Sequence, residues 1–152
     1  MKRAIPLVDL GAFVHGDSDQ RLAIAESVGD AFHKIGFVGI VNHSIGQALI
    51  SDFYEAARTF FALPEETKTK YEIPGLAWQR GYTTFGKEHA KHSKVGDLKE
   101  FFQIGQTVTD GDPVAQHYPD NVDVAEVSEF SKLGNALYKQ FERAGNHLLE
   151  AI

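Results

Sequence analysis

The sequence has no cysteine, one methionine and one tryptophan among its 152 residues. Without cysteine there are no disulfides, thiolate zinc sites, iron-sulfur clusters or cysteine nucleophiles, and the composition fits a reducing, cytoplasmic setting. Basic charge is also short: 15 Lys and Arg face 21 Asp and Glu, a net charge of −6. No basic run interleaved with aromatics occurs, so nucleic acid is not an expected partner. No apolar run approaches the roughly 20 residues that span a bilayer. The opening Met1-Lys2-Arg3-Ala4-Ile5-Pro6 is broken by Pro6 and Asp9 before it could serve as a signal segment, so no membrane is expected. Gly-x-Gly-x-x-Gly, Walker-type loops and Gly-x-Ser-x-Gly are absent, which removes nucleotide cradles and the hydrolase elbow. What is present, 43% hydrophobic and 24% charged residues, is ordinary for a folded chain with its own core.

Ile5-Pro6-Leu7-Val8-Asp9-Leu10 predicts a first strand whose Pro6 suits an edge or a strand start. Leu22, Ala25, Val28, Phe32 and Ile35 recur at steps of three and four, predicting a helix capped by Asp17 or Ser18 and ended by Gly36. Gly36 to Val41 reads as a buried strand, followed by a turn at Asn42-His43-Ser44. A second helix carries Leu49, Phe53, Ala56 or Ala57, and Phe60 on its apolar face. Pro64 closes that helix and opens a short one, with Glu65 and Glu66 at its positive end. Tyr71 to Ser93 reads as irregular, and Thr109 to Asp123 as a loop. Between them Asp97 to Gly105 reads as a strand covered on both faces, through Phe101, Phe102 and Ile104. The clearest element is a long final helix over about 124–152, striped by Val127, Phe130, Leu133, Leu137, Phe141, Ala144, Leu148 and Ile152. Neither Gly, Pro nor a basic turn caps it, so the periodic pattern is expected to continue past residue 152. The elements together give an α+β class.

Seven histidines invite a search for metal ligands. His15-Gly16-Asp17 has the form of two ligands of a facial iron triad, but it lies in a Gly-containing loop before a helix, where Asp17 has the simpler role of cap. His89 and His92 could share a helix face, yet Lys87, Lys91 and Lys94 around them oppose a divalent cation. His33 and His147 fall on predicted helices with no carboxylate or His at matched spacing. With His43 and His117 they read as surface or boundary residues. No catalytic residue and no metal ligand is therefore assigned within the chain. Trp78-Gln79-Arg80-Gly81-Tyr82-Thr83 shows no burial period. Such a segment either binds a ligand or covers a core, and in the second case Trp78 and Tyr82 anchor it while Arg80 faces solvent.

In order, Ile5 to Leu10, Gly36-Phe37-Val38-Gly39-Ile40-Val41-Asn42-His43, Phe60 to Lys68 through Tyr71, Arg80-Gly81-Tyr82, Asp97 to Phe102, and Tyr118-Pro119-Asp120-Asn121 resemble the N-terminal region of the isopenicillin N synthase-like 2-oxoglutarate/Fe(II) dioxygenases. The resemblance covers nearly the whole chain and departs locally at Asp123. It implies that residues 1–152 are a helix and strand region flanking a double-stranded β-helix, or jelly-roll, core that is itself not in this chain. In that family the iron ligands, a His-x-Asp and a later His, and the Arg-x-Ser that binds 2-oxoglutarate lie in the C-terminal portion. Here no Arg is followed two residues later by Ser or Thr. The resemblance thus implies a complete oxidoreductase that uses Fe(II), 2-oxoglutarate and O2 to oxidise a small organic substrate, and a chain that is inactive by itself without its jelly-roll partner. It assigns Gln79, Arg80, Tyr82, Thr83, Glu100 and Phe102 to the substrate wall, with Arg80 placed to hold a substrate carboxylate. The alternative is a non-catalytic binding or interaction module derived from the same scaffold.

Overall fold

The computed structural model describes residues 4–89, 91, 95–109 and 111–152. Met1, Lys2, Arg3, His92, Ser93 and Lys94, named above, lie outside the described residues. The chain divides into two compact units, Met1–Gly46 with Gln140–Ile152, and Gln47–Lys139. Both mix helix with a two-stranded sheet, and no closed barrel forms among the described residues.

In the first unit Leu7–Asp9 (β1) runs parallel to Gly39–Val41 (β2), pairing Leu7 with Gly39, Val8 with Ile40 and Asp9 with Val41. Pro6 has no N–H to give, and its carbonyl accepts from Gly39 N at 2.8 Å, which suits a strand start. Two helices connect the strands, Leu10–His15 (α1) and Ser18–Lys34 (α2), and each starts on an aspartate. Asp9 Oδ1 accepts the Ala12 N–H at 2.9 Å while its Oδ2 accepts from Asn42 Nδ2 at 2.7 Å, tying the end of β1 to the turn after β2. Of the two residues considered as caps of α2, Asp17 serves. It accepts the Gln20 N–H at 2.9 Å, and Gln20 Oε1 accepts the Asp17 N–H at 3.0 Å, a reciprocal capping box. Past α2 the chain turns at Gly36, left-handed at φ 83°, and after β2 the expected turn has Asn42 and Ser44 at φ 51° and 59°.

The buried side of α2 is not the expected stripe. Val28 and Ala31 are buried and Ile24 packs against the Leu10 and Phe13 cluster, whereas Leu22 and Phe32 are 60% and 43% exposed. Arg21 settles the rotation: its guanidinium lies 4.2 Å from the Phe13 ring centroid and donates to Phe13 O at 3.1 Å. The expected buried strand from Gly36 to Val41 is also shorter and more open. Only Gly39–Val41 pairs, on one edge, and Phe37 and Val41 are 67% and 38% exposed.

The second unit is built around Phe60. Gln47–Phe61 (α3) sets Phe53, Ala56 and Phe60 on one face as their spacing predicts, and Glu65–Lys68 (α4) starts after Pro64. Phe60 is fully buried, with the rings of Phe61, Tyr71, Tyr82, Phe102 and Phe130 around it at centroid separations of 5.0–6.1 Å. Ser128–Glu150 (α5) supplies Phe130 and Leu137 from the expected stripe. It begins at Ser128 and not near 124. Ser131 Oγ accepts the Val124 N–H at 3.1 Å and donates to Val122 O at 3.2 Å, which holds that backbone outside the helix. Farther along the expected stripe, Phe141 and Ile152 are exposed.

Gly81–Thr83 (β3) pairs antiparallel with Phe101–Gln103 (β4). The stretch from Tyr71 to Ser93 is therefore not all irregular, and the strand expected from Asp97 to Gly105 shrinks to its centre. β4 is not covered on both faces, since Phe101 and Phe102 are half-buried and Gln103 is exposed. Strands of three residues carry too little alternation to be read from composition.

Phe60→Ala should lower stability by roughly 3–5 kcal/mol, while Tyr54→Ala, at a residue 67% exposed, should stay within about 0.5 kcal/mol; urea unfolding checks both. The Ala12 N–H, and after it the Asn42 amide, hold the Asp9 carboxyl below its ordinary value of 3.8. A lowered carboxyl stabilises the fold above its ordinary value and ceases to do so as pH falls through the folded one. The urea midpoint of Asp9→Ala should thus lie below that of the unchanged protein at neutral pH and converge with it in acid.

Candidate functional site

The residues assigned to the substrate wall are gathered by the β3–β4 pair, in which Tyr82 lies opposite Phe102 and Thr83 opposite Phe101. Gly81 leads the chain into β3. It sits at φ 75°, and a Cβ there would lie 2.2 Å from Tyr71 O, so only glycine fits. From this start the side chains at 80, 82, 83, 100 and 102 are set at graded depths.

Tyr82 is 1% exposed, with its ring 5.9 Å from that of Phe60. Its hydroxyl donates to Glu100 Oε2 at 2.5 Å. The same oxygen accepts from Lys68 Nζ at 2.7 Å, and Lys68 also donates to Phe61 O at 3.2 Å. Lys68 is itself buried, and its ammonium lies 5.6 Å from the Tyr82 ring centroid. A buried ion pair is costly to break, and here each partner carries one further hydrogen bond, Lys68 to Phe61 O and Glu100 from the Tyr82 hydroxyl. Burial, and then the hydrogen bond to Glu100, push the Tyr82 hydroxyl up to about 12, so at neutral pH it is a fixed proton donor. Phe102 turns inward beside this pair, its ring centroid 5.1 Å from Phe60 and 4.9 Å from Phe130. Thr83 is fully buried and its Oγ1 has no hydrogen-bond partner.

Arg80 is 9% exposed, not solvent-facing as the core-covering reading of this segment had it. Its guanidinium lies flat on Gly105, where a Cβ would come within 2.0 Å of Arg80 Cζ. Nη1 donates to Gln79 O at 2.7 Å, Nε is buried without an acceptor, and no carboxylate among the described residues forms an ion pair with it. Gln79 is exposed and lines a groove of about 410 Å³ with Leu76, Gln116, His117 and Tyr118. Beside it Ala77 and Trp78 are consecutive left-handed residues at φ 47° and 60°, and Trp78 is 42% exposed, so Tyr82 rather than Trp78 anchors the segment.

Two contributors were not singled out from the sequence. Lys68 sits in a short polar helix that reads as surface, and only its place in the Phe60 to Lys68 motif hinted at more. Asn121 bridges the far side. Its Oδ1 accepts from Gly105 N at 2.8 Å, and its Nδ2 donates to Gly105 O at 2.8 Å and Asn135 Oδ1 at 2.9 Å, fixing the backbone on which Arg80 lies.

Asp17 Oδ1 is occupied as the cap of α2, and among the described residues no three His, Asp or Glu side chains gather as metal ligands. The donor set does not fit Fe(II). His43 Nδ1 accepts the Ile45 N–H at 3.1 Å, and His147, expected to lack a carboxylate at matched spacing, has Glu150 one turn on, its Oε1 3.9 Å from Nδ1.

Residues 5–126 match the family described as non-haem dioxygenase in morphine synthesis, N-terminal. A 2-oxoglutarate-dependent dioxygenase (imqE) of Aspergillus flavus is 39% identical over 85 residues, 55% of this chain and 23% of that protein. A putative 2OG-Fe(II) oxygenase family protein of Caulobacter crescentus, known from its crystal structure, overlays 98% of this chain and 47% of its own at TM-score 0.82 and 34% identity. A Neurospora crassa protein crystallised in complex with alpha-KG overlays 97% of this chain and 46% of its own at TM-score 0.77 and 26% identity. The chain spans less than half the length of each.

With Tyr82 raised to about 12 and Tyr71 also raised, chiefly by burial, two of the five tyrosines should ionise above the ordinary value of 10.0 in the folded protein. A raised hydroxyl adds stability that is whole below the ordinary value and lost as pH rises through the folded one. Spectrophotometric titration of Tyr82→Phe should lack the highest ionisation step, and this variant should lose less stability than the unchanged chain between pH 10.0 and about 12.

Proposed function

Because the chain belongs to the non-haem dioxygenase N-terminal family, we propose that it forms the substrate-flanking part of a 2-oxoglutarate/Fe(II) oxygenase that oxidises a small organic molecule with O2. The relative named as a 2-oxoglutarate-dependent dioxygenase and the one crystallised with alpha-KG support this reading. Iron and 2-oxoglutarate are held by a jelly-roll portion outside residues 1–152, where they supply the oxidising chemistry, and this chain alone is inactive. No helix among the described residues is long and apolar enough to cross a membrane, and with zero cysteine the proposed setting is the cytoplasm.

The observation that carries the site is Arg80, a buried cation that has no counter-ion, and whose Nε has no acceptor, among the described residues. Such a donor costs free energy until an acceptor reaches it, and a carboxylate meeting the Nε and Nη2 edge satisfies both charge and hydrogen bonding. Arg80 is assigned to a substrate carboxylate and Gln79 to the rim of the same wall. Behind them Tyr82, Thr83, Glu100 and Phe102 shape the wall and hold it rigid. Lys68 already neutralises Glu100, so among the described residues of this unit the buried positive charge left over is that of Arg80.

In the oxygenase containing this chain, Arg80→Ala should raise KM for a carboxylate substrate roughly tenfold or more, and Arg80→Lys should not restore it, since an ammonium lacks the planar fork. Unchanged affinity and turnover in both variants would remove Arg80 from the site. A source protein that binds neither Fe(II) nor 2-oxoglutarate in titration would favour the interaction module instead.

A further inference from the structure

The stretch from Gln106 to Asp123 forms a concave surface on the second unit. A cavity of about 420 Å³ opens there, walled by Gln106, Thr107, Tyr118, Asp120, Asp123 and Asn135. The groove of about 410 Å³ beside Gln79 adjoins it, and the two hollows share Tyr118 and Pro119 as a common ridge. Tyr118 is 42% exposed, so its ring is open to solvent at the edge of the cavity.

The walls are held in place by the chain itself. Asn121 clasps both backbone groups of Gly105 and bonds Asn135 Oδ1, which ties two sides of the cavity together. On another side the single helical turn Ala115–His117 follows Asp112, whose Oδ1 accepts the Val114 N–H at 3.0 Å and whose carbonyl accepts the Ala115 N–H at 3.0 Å. A cavity that need not be ordered on binding keeps more of its interaction energy for the ligand.

This fixed backbone presents unfilled hydrogen-bonding capacity of both kinds. Among the described residues neither Asp120 nor Asp123 takes part in a hydrogen bond or an ion pair, and no Lys or Arg lines either hollow. Asn135 is half-buried with its Nδ2 unused, and the half-buried Gln106 amide has neither end engaged among the same residues. Carboxylates accept, whereas amides and the Tyr118 hydroxyl both donate and accept.

Simpler ligands leave part of this set unused. An anion would meet two carboxylates with no cation to offset them. A divalent cation is poorly served, since no three His, Asp or Glu side chains gather among the described residues. An alkylammonium would satisfy Asp120 and Asp123 but not the amide donors. A polyhydroxylated ring offers donors to the carboxylates, acceptors to the amides and an apolar C–H face to the Tyr118 ring.

We propose that the hollow lined by Gln106, Asp120, Asp123 and Asn135, with the Tyr118 ring at its edge, binds a polyhydroxylated ligand, a monosaccharide or a cyclic polyol. Its volume lies in the range of ligand pockets, which begins at roughly 300 Å³. The site needs neither Arg80 nor iron, and so goes beyond the reading of the chain as a substrate wall.

Saturation-transfer NMR on the 152-residue chain tests this, with D-glucose and myo-inositol as probes and methylammonium and acetate as the competing chemistries. Both polyols should receive saturation and neither ion should displace them. Asp120→Ala and Asp123→Ala should each weaken polyol binding roughly tenfold, and Tyr118→Ala roughly threefold or more. Tyr54→Ala, on α3, should leave it unchanged. All three lining positions are exposed, so the melting midpoints should stay in place, which separates loss of the site from loss of the fold. Absence of saturation in both polyols would overturn the proposal, as would polyol binding that all three lining variants retain. So would displacement of the polyols by methylammonium, which would make the hollow a cation site. The readout is binding without iron, 2-oxoglutarate or turnover, so it stands apart from the Arg80 kinetics, and either can fail without the other.

Discussion

One oxygen atom organises the interior of the second unit. Glu100 Oε2 receives both the Lys68 ammonium and the Tyr82 hydroxyl, from a short helix and from a strand that share no local sequence. A carboxylate at that depth is tolerable only when its bonds are filled, so α4, β3 and the approach to β4 have to arrive together. The aromatic cluster around Phe60 gives bulk but little direction, because rings accept many arrangements at similar energy. The polar triad selects one. It fixes Tyr82, and through the strand that carries it the backbone at Gly81 and Arg80.

Among the described residues two buried side-chain polar atoms have no partner, Arg80 Nε and Thr83 Oγ1, both on or beside β3. Unpaired buried donors are uncommon in folded proteins, and where they occur they ask for an account. Here they coincide with the segment that the family resemblance assigns to the substrate side, next to a loop with two consecutive left-handed residues. The first unit is different in kind. Its polar groups near the turns are tied down by Asp9, Asp17 and Asn42, and what it leaves unsatisfied is apolar area.

Legibility in the sequence followed the range of the interaction. Asp17, Gly36 and Pro64 act within a few residues of themselves, and their roles as cap, stop and helix opener were readable directly. The spacing of Phe53, Ala56 and Phe60 was equally plain, since the helix period alone creates that face. The inward side of α2 was not, because two stripes overlap on it and a contact with Phe13 from another helix chooses between them. β3 hid for a related reason: three residues that begin on a left-handed glycine look like loop until β4 is beside them. At the candidate site, Gln79 to Thr83 with Glu100 and Phe102 could be named only through the family resemblance. The burial of Arg80 and the part played by Lys68 depend on partners far along the chain that no local pattern announces.

Gly105 lies under the Arg80 guanidinium with no room for even a methyl group. The two positions are therefore coupled in the order in which they can change. Any side chain at 105 must expel the guanidinium first, whereas a smaller residue at 80 would leave 105 free to vary. Divergence toward a ligand that needs no cation is open in one direction only, through position 80. Asn121, which clasps both the N–H and the carbonyl of Gly105, makes the backbone too well held to yield by moving aside.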